Sequence, residues 1–197
     1  MSAPTNTNGW LAAPTLGNEW VTLEALSQAH ADDLTAHVGD LSQIWYVDHI
    51  PTAEEVPAYI DRLLAEEDRV AWTILDPAGT AIGVTTYLHL NPESRNLEIG
   101  STWISKDAQG SAINPAIKLL LLGRAFEDLQ CMRVEIRTHN MNFQSRKAVE
   151  KLGAKLDGVL RRHKTLKNGQ VRDTCVYSIL DYEWPAVKTG LEARLAS

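Results

Sequence analysis

Between Ala108 and Ala154 the chain reads AQGSAINPAIKLLLLGRAFEDLQCMRVEIRTHNMNFQSRKAVEKLGA: a small-residue loop, an apolar helix, an alternating strand and a second helix, in that order. Such an order restricts the fold to sheet and helix layers, because each helix must bury its apolar stripe against the sheet that holds the strand. Ala116 to Leu129 contains no breaker except Gly123, with Asn114 suited to an N-cap and Pro115 to the first helical position. Met132 to Thr138 alternates Val134 and Ile136 against Arg133, Glu135 and Arg137, which predicts a strand. A second helix starts at Asn142, an N-cap, and stops at Gly153, with Ser145, Ala148, Val149 and Leu152 along one face. A hydroxyl at Ser145 on that face either bonds back to the preceding turn or points at a ligand.

The loop Gln109, Gly110, Ser111 and Ala112, running through Ile113 into Asn114, ends at a helix N-terminus. Unpaired N–H groups and the positive end of the helix dipole suit a pyrophosphate there, although an ordinary capped helix start has the same appearance. No Gly-Lys-Ser/Thr follows and the three glycines of the dinucleotide fingerprint are missing, which counts against nucleoside triphosphates and NAD.

Elsewhere the sequence predicts a strand at Trp20 to Ala25 and a helix capped by Ser27 that runs to Val38. Trp45 to Ile50 is a connector. A helix follows with the capping box Thr52 and Glu55, turning Val56, Tyr59, Ile60, Leu63 and Leu64 inward. Val70 to Leu75, Ala81 to Leu90 and Asn96 to Ile104 form an antiparallel meander; Lys155 to Leu166 and Val171 to Leu180 flank Asn168-Gly169, which favours a type I′ turn. Trp184, Val187, Leu191 and Leu195 give the ending a helical spacing, suited to covering a sheet edge or a partner subunit.

With 197 residues, 44% of them hydrophobic and 22% charged, the chain can bury one sizeable core. We expect a flexible segment over 1–18, one domain over 19–184 and a helical tail over 185–197. Cys131 and Cys175 lack any CxxC spacing, so neither a metal site nor a disulfide framework is indicated and both read as reduced thiols. A net charge of −6 argues against nucleic acid and suits a cationic substrate. No segment reaches the roughly 20 apolar residues that span a bilayer, so no membrane partner and a cytoplasmic location are expected.

Four ordered blocks resemble the GCN5-related N-acetyltransferases (GNATs), in the branch of the RimJ/RimL-type protein N-terminal acetyltransferases. They are LEIGSTWI (Leu97 to Ile104), the loop and helix start Gln109 to Lys118, NFQSRKAVEKLGA (Asn142 to Ala154) and the ending Gly158 to Trp184. The resemblance implies a mixed α/β fold with a mostly antiparallel central sheet and helices on both faces. It also implies splayed strands around the pantetheine arm of acetyl-CoA, and direct transfer of an acetyl group to an amine. The phosphate loop would be Gln109, Gly110, Ser111, Ala112, Ile113 and Asn114; Ala112 and Asn114 depart from the usual glycines. A methyl group at a position needing positive φ costs roughly 1 kcal/mol or more. Trp103, Ile104, Asn142, Ser145 and Arg146 would also meet the cofactor, Ser145 would donate to the leaving sulfur, and Trp45 and Tyr46 would form the lip of the acceptor pocket. The family also suggests a homodimer.

Glu98 lies in mid-strand between Leu97 and Ile99, and alternation sets it with Gly100 and Thr102, opposite Leu97, Ile99 and Trp103. If buried, its pKa rises toward a value useful for a base, acting directly or through water; a structural carboxylate is the other reading. An acidic pocket near Trp45 and Asp48 would favour a free cationic amine such as a polyamine, antibiotic or amino acid, and an open groove would favour a peptide α-amine. A chain that only binds CoA is the remaining class.

Overall fold

The apolar runs pair into one sheet with helices on both faces. The computed structural model describes residues 7–47 and 49–196. Its elements are α1 (Thr7–Trp10), β1 (Leu16–Gly17), β2 (Thr22–Ala25), α2 (Ala31–Val38), α3 (Val56–Ala65), β3 (Val70–Leu75) and β4 (Ala81–Asn91). They continue with β5 (Asn96–Ile104), α4 (Ile113–Gly123), β6 (Arg133–His139), α5 (Phe143–Leu152), β7 (Lys155–Thr165), β8 (Val171–Leu180) and α6 (Trp184–Leu195). The eight strands lie in the order β1-β2-β3-β4-β5-β6-β8-β7. Every neighbouring pair is antiparallel except β5 and β6.

Alternation divides the interior in two. Leu23, Trp72, Tyr87, Leu97, Ile99, Val134, Ile136 and Tyr177 face α4, α5 and α6, whereas Ala71, Ala81, Val84 and Trp103 face α2 and α3. Trp103 is therefore on the face opposite to Leu97 and Ile99, contrary to simple alternation. Between Val84↔Trp103 and Thr86↔Gly100 the strand β5 carries one residue more than β4, and Ser101 takes φ +49. That bulge inverts the side-chain order beyond it, so Ile104 rather than Trp103 joins Ile99.

Several boundaries differ from the sequence reading. Leu64 is 52% exposed, because the buried stripe of α3 closes with Val56, Tyr59, Ile60 and Leu63. Helix α4 gives way to a π turn over Arg124–Asp128. Asn168-Gly169 does not form a type I′ turn: only Gly169 has positive φ (+81), and Gly169 N–H bonds to Leu166 O at 2.9 Å. The result is a turn closed by a left-handed glycine, the usual three-residue hairpin loop. The part of the expected flexible segment from Gly9 onward is held by the domain, since Trp10 is buried and Arg124 donates to Gly9 O (2.7 Å) and Ala12 O (2.9 Å). The tail packs as α6 on α4 and α5, not on a sheet edge; Trp184 stacks on Phe126 and donates to Glu127.

Candidate functional site

β5 and β6 pair only from Asn96↔Arg133 to Glu98↔Glu135. Past Glu98 they separate, and a cleft of about 560 Å³ passes between them and connects the two faces of the sheet. On the α2/α3 face it is lined by Glu98, Arg69, His89, Arg137, His139 and Arg172, with Tyr46 from the connector. On the α4/α5 face its lining includes Gln109, Asn114, Lys118, Asn142 and Ser145.

Glu98 is buried, and Gly100 leaves room for its carboxyl: a Cβ at Gly100 would stand 3.0 Å from Oε1. Oε2 is buried with no hydrogen-bond partner, although Arg137 Nε lies at 3.3 Å and His89 Nε2 at 3.7 Å. Burial pushes the pKa of Glu98 from 4.5 to about 7, against the opposing pull of Arg137 and with a smaller upward push from Glu135. His89 takes φ +52, a left-handed conformation unusual outside glycine, and its ring lies between Glu98 and Asp68. Arg69 ties the bulge in place, donating to Thr86 Oγ1 (3.2 Å) and Ser101 Oγ (3.0 Å).

At the other end Gly110 takes φ +78, and Ala112 takes φ −65. Alanine at 112 thus carries no left-handed strain, and the methyl penalty does not arise. The helix begins earlier than Asn114 and Pro115 suggest, at Ile113, because Ser111 Oγ accepts from Ile113 N–H (3.2 Å) and Ala112 O from Ala116 N–H (3.0 Å). Asn114 is then free of a cap role and lines the cleft, one turn before Lys118 on the same face. Lys118 is half-buried with no ion pair or hydrogen bond to a described residue, and burial pushes its ammonium down to about 8.

Asn142 caps α5, its Oδ1 accepting from Ser145 N–H at 3.0 Å, and this holds Ser145 at the cleft. Asn142→Ala is expected to lower stability by about 1 kcal/mol in chemical denaturation.

The structure thus brings Glu98, Trp103, Ile104, Gln109, Asn114, Asn142, Ser145 and Tyr46 to one cleft. Gly110, Ser111, Ala112 and Ile113 shape the loop beside it without lining it. Arg146 is turned elsewhere: its guanidinium donates to Tyr177 OH (3.2 Å) and Asn140 O (3.1 Å), because Asn140 begins the loop that α5 must close. Trp45 does not line the cleft either; its ring packs edge-on against Tyr46 (5.3 Å) and His139 (5.4 Å), and Asn168 holds its carbonyl at 2.7 Å. Glu98 is the only carboxylate among the described lining residues, so they do not form an acidic pocket; Asp48 lies outside the described residues. The sequence reading missed Lys118, whose signal was its i+4 spacing from Asn114, and Arg69 and His89, which carried none.

These loops and the open β5–β6 wedge fit a donor with phosphates at one end and a narrow arm: a left-handed glycine turn, an 11-residue helix beginning there and a half-buried ammonium with no counter-charge among the described residues. Comparison with known proteins agrees. Residues 21–155 match the acetyltransferase (GNAT) domain family. Over 110 residues the chain is 34% identical to the protein named "Putative ribosomal N-acetyltransferase YdaF" of Bacillus subtilis (strain 168), with 56% of this chain and 59% of that protein covered. The chain thus spans about three fifths of the length of that curated relative. A GCN5-related N-acetyltransferase from Brucella melitensis is 29% identical with a TM-score of 0.87, covering 93% of this chain and 86% of that one. A putative acetyltransferase from T. thermophilus is 37% identical with a TM-score of 0.86, covering 94% and 99%.

Proposed function

We propose that this chain, which belongs to the GNAT acetyltransferase domain family, transfers the acetyl group of acetyl-CoA to a primary amine, a protein or peptide N-terminal α-amine. The observation that carries this reading is the cleft through the sheet with the buried carboxylate of Glu98 on one face and the loop, Lys118 and Ser145 on the other. Bound acetyl-CoA supplies an activated thioester. An ammonium cannot attack, so the acceptor reacts as the neutral amine: its nitrogen joins the acetyl carbon as the carbon–sulfur bond breaks, and Glu98, half ionised near neutral pH with a pKa of about 7, takes the proton that the nitrogen sheds. CoA leaves as a thiolate, and the Ser145 hydroxyl donates a hydrogen bond at the departing sulfur. Gln109, Asn114, Asn142 and Lys118 would hold the donor, and Tyr46 would flank the acceptor.

A peptide acceptor is preferred to a small cationic amine because the described lining offers one carboxylate, and that one is assigned to the proton. The name of the Bacillus subtilis relative points the same way. The test is thiol release from acetyl-CoA with a panel of peptides, polyamines and amino acids. Release with peptides above all supports the reading, release with polyamines alone overturns the acceptor class, and release with no amine overturns the transfer. Ser145→Ala is expected to lower kcat roughly 10- to 1000-fold with little change in CoA affinity by calorimetry, the scale of one oriented donor.

A further inference from the structure

In the proposed transfer Glu98 takes one proton per turnover, and a buried carboxyl must pass it on before the next amine reacts. The side chain of Glu98 is 8% exposed, and its Oε2 reaches two cationic or titratable groups among the described residues: Arg137 Nε at 3.3 Å on β6 and His89 Nε2 at 3.7 Å on β4. Arg69 and Arg172 also line this end of the cleft. A guanidinium has no acceptor to offer a proton, whereas an imidazole takes one at one ring nitrogen and gives one up at the other. The side chain of His89 is 62% exposed, and its Nδ1 lies 3.9 Å from Oδ2 of Asp68, an exposed residue in the loop before β3. Carboxyl, imidazole and carboxylate form a row that leads from the interior to solvent.

The backbone departs from a regular strand to set the imidazole in that row. Tyr87 faces α4, α5 and α6, so regular alternation would turn residue 89 to the same face, opposite Glu98. Instead the register of β4 on β5 shifts between Leu88 and Asn91, His89 takes φ +52, and Leu90 packs on the Tyr87 face in its place. A left-handed residue other than glycine costs stability, and such residues cluster at functional sites. Both gaps in the row are longer than a hydrogen bond; contacts of this kind commonly tighten, or take one bridging water, when substrate binds.

We infer that His89 carries the proton from Glu98 to solvent, with Asp68 steadying the imidazolium in transit. The inference rests on the reading of Glu98 as the base. An N–H bond of the attacking amine breaks and an O–H bond forms at Oε2 of Glu98. That proton moves to Nε2 of His89, and Nδ1 releases one to water. Glu98 is left ionised and His89 neutral, with one proton passed to solvent for each acetyl group transferred. His89 acts through Glu98 and does not itself touch the substrate.

The experiment is steady-state thiol release from acetyl-CoA by the full chain in dilute buffer, with the peptide that gives the fastest release, for wild type, His89→Asn and Glu98→Gln. Asparagine tolerates a left-handed backbone and carries no proton, so the strand keeps its course at 89, and melting curves check the fold. His89→Asn is expected to lower kcat about 10-fold, less than loss of the base itself, because water still empties the carboxyl slowly. Added imidazole should restore most of the lost rate in His89→Asn and leave the wild type unchanged, a recovery that a structural role for His89 would not show. A wild-type rate in His89→Asn, or a loss that imidazole does not restore, overturns the relay. Glu98→Gln separates the two readings. If Glu98→Gln is slow while His89→Asn fails the imidazole test, only the relay falls; a Glu98→Gln variant as fast as wild type removes the base and the relay with it.

Discussion

Glu98→Gln lowers kcat roughly 10²- to 10⁴-fold, the worth of a positioned base, and at the same time raises the melting temperature above pH 7. Both follow from one burial. Glu98 is 6% exposed, and its Oε2 has no hydrogen bond, so the charged form is poorly solvated and the pKa sits at about 7 instead of 4.5. A folded pKa above the unfolded one means that the folded state holds its proton more tightly. The stability this contributes is fully present below about pH 4.5 and is lost as pH rises through about 7. Over that interval the loss amounts to roughly 3 kcal/mol. Glutamine cannot ionise and escapes the loss, so the variant melts higher than wild type at alkaline pH and equally at acid pH. Activity and stability move in opposite directions only if Glu98 is a buried group kept for chemistry. A purely structural carboxylate, as the sequence left open, would lose stability on the same change. Melting curves at several pH values beside steady-state kinetics distinguish the two.

Gly83→Ala is expected to destabilise the fold by roughly 3 kcal/mol, the upper range for forcing atoms into a packed interior. A Cβ at Gly83 would stand 2.3 Å from Trp103 O and 3.0 Å from Ile104 Cα, both backbone atoms of the bulged part of β5. Backbone cannot rotate away, so either β4 and β5 part or the bulge shifts. The bulge carries Trp103, whose indole N–H donates to Tyr59 OH at 3.2 Å, and the Ser101 hydroxyl that Arg69 holds. A shift there widens the wedge, so urea denaturation should show the lost stability and calorimetry a weaker CoA affinity together.

Much of this was legible in the chain. The alternation of Met132 to Thr138, the cap at Asn142 and the stop at Gly153 each rest on local chemistry, and each stands in the structure: β6 runs Arg133–His139, Asn142 accepts from Ser145, and Gly153 takes φ +105. The burial of Glu98 was only a condition in the sequence reading, because its apolar neighbours Leu97 and Ile99 lie on the opposite face of the strand. What escaped depends on contacts between segments far apart in sequence. The bulge that turns Trp103 over arises from a register between β4 and β5, and no residue of LEIGSTWI announces it. Arg146 reads as an exposed cation on a helix until Tyr177 and Asn140 are brought beside it. Net charge likewise says nothing of where charges sit: the chain is acidic at −6, yet the described residues of the cleft contribute one carboxylate among several cations.

The central claim is that Glu98 accepts the proton of an acceptor amine attacking acetyl-CoA. The most direct measurement is the pH dependence of kcat/KM for amine-dependent thiol release, wild type against Glu98→Gln, between about pH 5 and 9. The wild type should climb in two limbs, one near 7 from Glu98 and one near 8 from a peptide α-amine, and the variant should keep only the second. Two limbs in both proteins, or no amine-dependent release in the wild type, would contradict the account.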